Sequence, residues 1–137
     1  MQTRRFAAFG FLALLTAGPA VARPAAPPRL PPARRGIAVW YGEDRHGQTM
    51  ANGRTYDQWA MTGASVHFPL GTRVRVTDLG TKRSVVVTIT DFTIPRSRVL
   101  IDLSHGAGRA LGIETRGRAR VEVKPIGFDR GQTRRHA

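Results

Sequence analysis

Eight residues, Ser84–Asp91 (Ser-Val-Val-Val-Thr-Ile-Thr-Asp), constrain the fold of this chain more than any other stretch. Val85, Val87 and Ile89 alternate with Val86, Thr88 and Thr90, a period of two rich in β-branched side chains. Such a pattern predicts a strand with one face in a core. Asp91 closes the run and Phe92-Thr93-Ile94-Pro95 follows, where proline cannot extend a central strand. A carboxyl group therefore stands where the chain leaves the sheet. Two roles fit it there: a turn cap, common for aspartate, or a partly desolvated acid that keeps its proton near neutral pH.

Around this strand the chain offers several more short ones. Ile37 to Tyr41 is apolar and carries Trp40 and Tyr41, and a further strand is expected over 65–68. Over 72–77, Val74 and Val76 point one way and Arg73, Arg75 and Thr77 the other, which predicts a half-buried strand with a basic outer face. Asp78-Leu79-Gly80-Thr81-Lys82 reads as a hairpin connection into Ser84–Asp91. Val99-Leu100-Ile101 is another strand, ending at Asp102, and Ser104 caps one short helix stopped by Gly112. Ala119, Val121 and Val123 alternate with Arg118, Arg120 and Glu122, which predicts a last strand. Residues 42–55 form a long loop rich in glycine and asparagine, and long ordered loops often carry function. Many short strands with one helix predict an all-β fold, a compact barrel.

A chain of 137 residues suffices for one such domain. A basic start with Arg4 and Arg5, an apolar run and Ala20-Val21-Ala22 read as a secretory signal peptide over 1–22, too short to span a bilayer. A Pro/Arg-rich linker is expected over 23–35, the barrel over 36–125 and a basic flexible tail over 126–137. The formal net charge of +13 favours polyanions. With export, that points to anionic lipid or wall polymer, with no nucleic-acid partner. There is no cysteine, hence no disulfide, thiolate zinc site, thiol nucleophile or lipid anchor on an N-terminal cysteine. The expected product is a soluble periplasmic or secreted monomer without a stable membrane anchor. His46, His67, His105 and His136 lack metal-ligand spacing, so neither metal nor cofactor is expected.

Trp40-Tyr41-Gly42, His46-Gly47, Ala51-Asn52-Gly53 and Tyr56-Asp57 occur in that order, then Pro69-Leu70-Gly71-Thr72 and Val74-Arg75-Val76. Asp91 and Ile101-Asp102-Leu103-Ser104 complete a series that resembles the rare lipoprotein A family from about residue 36 to 123. The resemblance implies a single six-stranded double-psi β-barrel with one short helix, related to the expansin barrels. It also implies an exported lytic transglycosylase, which cleaves the glycan strands of peptidoglycan without water and leaves an anhydro-muramyl end. That chemistry needs an acid for the glycosidic oxygen and a base for the sugar's own hydroxyl, and one carboxyl of raised pKa can serve both. By resemblance Asp91 and Asp57 are the catalytic candidates, and Tyr41, Asn52, Tyr56 and His67 the substrate-binding ones.

Three positions depart from the family pattern. Arg54 stands where the family has Glu, Ser65 where it has His, and Phe92-Thr93 where it has Arg-Gly. In an extended segment Ser65 and His67 would share a face, so His67 is either a stand-in for the missing histidine or a rim residue. The departures open a second reading, a non-catalytic, expansin-like module that binds wall glycan. Trp40, Tyr41, Tyr56 and Trp59 are either sugar platforms or core. Arg73, Arg75 and Arg83 form either a stripe for an anionic polymer or a solvated face.

Overall fold

A computed structural model describes residues 10, 12–94 and 98–131. Residues 1–9 and 11 of the expected signal peptide, Pro95 and the last six residues of the expected tail lie outside the described residues. Residues 12–33 carry no regular secondary structure.

The strands are β1 (Arg34–Trp40), β2 (Thr62–Ala64), β3 (Thr72–Asp78), β4 (Ser84–Asp91), β5 (Val99–Leu103) and β6 (Arg118–Phe128), with one helix, α1 (His105–Leu111). They close into a barrel in the order β1-β5-β2-β4-β3-β6. The β1–β5 and β2–β4 contacts are parallel and the remaining ones antiparallel. This is the six-stranded double-psi barrel that the resemblance implies. Among the described residues, closure leaves no barrel edge open to another chain.

The period of two drives the packing. In β4, Val85, Val87 and Ile89 are buried, and they meet Val74 and Val76 from β3 and Val121 and Val123 from β6 in one core. Leu100, Ile101 and Leu103 of β5 and Ala107, Leu111 and Ile113 from α1 and its exit complete it. Ser104 caps α1 by accepting a hydrogen bond from the Ala107 N–H, and Gly112 ends it in the left-handed conformation at φ 84°.

β3 and β5 each run slightly past their expected ends, to Asp78 and Leu103, and β1, β2 and β6 differ more. β1 begins at Arg34, because Arg34 and Arg35 pair with Val123 and Glu122 of β6. β6 runs on to Phe128, paired with Thr72. The strand expected over 65–68 is instead Thr62–Ala64, and bends occupy 66–68. Ser65 turns its hydroxyl into the fold, donating to the Leu100 carbonyl at 2.8 Å and accepting from the His67 N–H at 3.2 Å. That local pairing competes with extension of the strand.

Candidate active site

β2 lies between β4 and β5, and its last residue, Ala64, is in register with Asp91 on one side and Asp102 on the other. A register shift between Gly63 and Ala64 skips Thr90 and brings Asp91 into that row. Residues in register point to the same face. Two carboxyl side chains thus flank a methyl group, their Cα atoms two strand spacings, about 10 Å, apart. Above this row opens a cleft of about 130 Å³, lined by Tyr41, Arg45, Ala64, Asp91, Phe92, Thr93, Ile94, Val99 and Asp102. Its size suits a single linkage of a longer ligand.

Asp91 Oδ1 accepts the N–H of Ala51 at 3.2 Å and of Phe92 at 2.9 Å. The first bond ties the long loop to the strand end. That loop is folded on itself: a bridge joins Thr49 to Thr55, the Tyr56 N–H donates to Gln48 O at 2.7 Å, and the Gln58 N–H to His46 Nδ1 at 3.2 Å. Asn52 is part of this fastening. Its N–H donates to Thr90 O at 3.2 Å and its Oδ1 accepts from the Arg54 N–H at 3.0 Å.

The desolvated acid of the cleft is Asp102. Burial pushes its carboxyl up to about 6, against the opposing pull of the Arg45 guanidinium. Its Oδ1 is buried and has no hydrogen-bond partner among the described residues. The sequence pattern Val99-Leu100-Ile101 ends its strand at Asp102, whereas the strand runs through it to Leu103. A signal was present in the sequence, an acid between Ile101 and Leu103 in an apolar strand, but its surroundings come from Val39 and Ala64, far away in the chain.

Tyr41 forms the wall beside the carboxyls. Burial, reinforced by the neighbouring Tyr56, Asp102 and Asp91, raises its phenol above the ordinary range, so it stays a neutral donor. Its hydroxyl is buried without a partner among the described residues. Tyr56 supports it from behind: the rings lie 4.7 Å apart, tilted by 30°, and the Tyr56 hydroxyl donates to Tyr41 O at 3.4 Å.

Asp91 and Tyr41 therefore meet in one cleft, with Tyr56 and Asn52 holding its walls. Asp57 does not line it. That residue is exposed, and its Oδ1 accepts the Trp59 N–H at 2.9 Å in a local turn. His67 is exposed too, and lines a separate groove with Arg34, Arg35, Gly36, Arg98, Val99 and Leu100. The alternation that would have set it beside Ser65 requires an extended segment, and residues 66–68 bend instead. Arg83 leaves the basic stripe of β3 and lies against Gly112, at the C-terminal end of α1.

Comparison with known proteins bears on this geometry. A family model described as lytic transglycolase matches residues 33–123. The endolytic peptidoglycan transglycosylase RlpA of Pseudomonas aeruginosa is 46% identical over 91 residues, 66% of this chain and 27% of that protein. A probable endolytic peptidoglycan transglycosylase RlpA of Synechocystis is 48% identical over 91 residues, 64% of this chain and 27% of that protein. The chain thus spans about a quarter of the length of these relatives. Among solved structures, the apo expansin of Clavibacter michiganensis superposes with a TM-score of 0.54 at 25% identity, covering 69% of this chain and 50% of that one.

Proposed function

As this chain belongs to the lytic transglycolase family, we propose that its cleft cleaves the glycan strands of peptidoglycan by intramolecular transglycosylation, outside the cytoplasm. The observation that carries the proposal is the pair of carboxyls flanking Ala64, one of them desolvated. Asp102, holding a proton up to about pH 6, donates it to the glycosidic oxygen as the bond from that oxygen to the anomeric carbon breaks. The sugar's own hydroxyl then attacks that carbon and gives up its proton to Asp91, which already acts as acceptor for two N–H groups. Bonds and protons balance without water, and an anhydro-muramyl end results. The neutral Tyr41 phenol supplies a hydrogen bond to the sugar, and Asn52 and Tyr56 keep the walls in place. Asp57 acts through the loop that it caps.

The test is incubation of the full chain with purified peptidoglycan and mass analysis of the products. Anhydro-muramyl ends are expected from the parent protein and should vanish in Asp91→Asn and Asp102→Asn. Release of reducing ends instead would make it a hydrolase.

The departures favour a second reading, a wall-binding module without turnover. Arg54 replaces an acid at an exposed loop position, and Ser65 is fully buried with its hydroxyl committed to the Leu100 carbonyl. Sedimentation with insoluble wall and no released product would support this alternative.

A further inference from the structure

We propose that the outward indole face of Trp59 is a second sugar-binding position, taking the flat face of a pyranose ring of a strand whose linkage lies in the cleft. This rests on the glycan-cleaving reading above. A cleft of about 130 Å³ holds one linkage, so a polymer must continue across the neighbouring surface. Of Trp40, Tyr41, Tyr56 and Trp59, three are already engaged. Tyr56 is 2% exposed, Tyr41 is covered by Tyr56, and Trp40 is stacked on His105 at 4.5 Å with planes 17° apart. Trp59 remains 50% exposed.

The ring is held firmly. It packs on His105 at 4.6 Å, and His105 is itself backed by Trp40. His105 Nε2 donates to Glu114 Oε1 at 2.7 Å, and Nδ1 lies 3.3 Å from Gln58 Oε1. The Gly106 N–H donates to Gln58 O at 2.8 Å, and a Cβ at Gly106 would come within 2.5 Å of Trp59 O. The close approach of helix and loop thus depends on that glycine. A platform fixed in advance loses little conformational entropy on binding. Tyr41 on the cleft wall follows Trp40 in the chain, and Trp40 backs the His105 ring on which Trp59 rests.

The chemistry selects a sugar. An indole face carries negative quadrupole charge, and the weakly positive C–H bonds on one face of a pyranose lie flat against it. A single indole is far too small for a stable protein interface.

The experiment uses the full chain carrying Asp91→Asn, so that bound glycan is not cleaved, and peptidoglycan glycan oligomers of increasing length. Affinity and indole fluorescence are followed with and without Trp59→Ala or Trp59→Phe. The parent should gain affinity with length. Trp59→Ala should lose about five- to tenfold on the longer oligomers, together with the emission change, while Trp59→Phe keeps part of the gain. An undiminished gain with length in a folded Trp59→Ala protein overturns this proposal alone. No binding of any oligomer by the parent would overturn the glycan reading, and this proposal with it.

Discussion

Asp91 and Asp102 stand on either side of Ala64, each in register with it, because β4 and β5 flank the short strand β2. The methyl group between them keeps the floor of the cleft low. Ala64→Leu would fill that space while adding apolar volume at a position that opens to the cleft. The expected result is loss of turnover by at least about a hundredfold, with a stability cost of about 1 kcal/mol. Product release from peptidoglycan and thermal unfolding measure the two effects. A variant that cleaves normally would mean that substrate does not enter between the carboxyls.

Asp102 sets a pH dependence whose sign runs opposite to the usual carboxylate. Its folded value, about 6, lies above the ordinary value of 3.8, so between these pH values the native state holds more protons than the unfolded chain. Stability contributed by this group therefore falls as pH rises through that window and stays level above it. Two pKa units correspond to about 3 kcal/mol, and solvent contact reduces this to about 1–2 kcal/mol. Asp102→Asn should be more stable than the parent at pH 7.5, with the gap closing by pH 4, as denaturant titrations can show. Parent turnover should decline above about pH 6 as the acid loses its proton.

On the opposite side of the barrel Asp78 behaves in the ordinary sense. Burial alone would raise its carboxyl. The Arg116 hydrogen bond at 2.6 Å and the N–H groups of Gly80 and Thr81 outweigh burial and hold it below the usual carboxylate value. Its contribution is complete above the unfolded value of 3.8 and is lost as pH falls through the lower folded value. Asp78→Asn should cost about 2 kcal/mol at pH 7, since the hairpin loses its charged acceptor. The difference from the parent should shrink at pH 3.

Restoring the family's histidine at position 65 should not restore an active-site group. Ser65 is fully buried and donates to the Leu100 carbonyl, with no space for an imidazole. Ser65→His is expected to cost about 1–3 kcal/mol by overpacking, with no gain in turnover. Higher activity at unchanged melting temperature would contradict this.

Arg75 and Lys124 face each other directly across β3 and β6, both exposed, and like charges so placed repel. Lys124→Glu should stabilise the barrel by about 0.5–1 kcal/mol at low salt, with the gain shrinking in high salt. Denaturant midpoints at two ionic strengths measure it.

Much of this was written locally. The alternation in Ser84–Asp91, the Ser104 cap and the Gly112 stop are properties of neighbouring residues, and period and cap chemistry depend on nothing further away. Asp91 as the last residue of its strand belongs to the same class. Which strands meet does not. The row Asp91, Ala64, Asp102 joins three strands through a register shift, and the desolvation of Asp102 comes from side chains brought there by barrel closure. The same holds for Ser65, His67 and Trp59. A bend rather than a strand turned the first inward and left the second on another groove, while a helix packed against a loop set the third in the open. Periodicity reports which face a residue takes. Only closure of the sheet decides which residue stands opposite, and so which carboxyl is shielded from water.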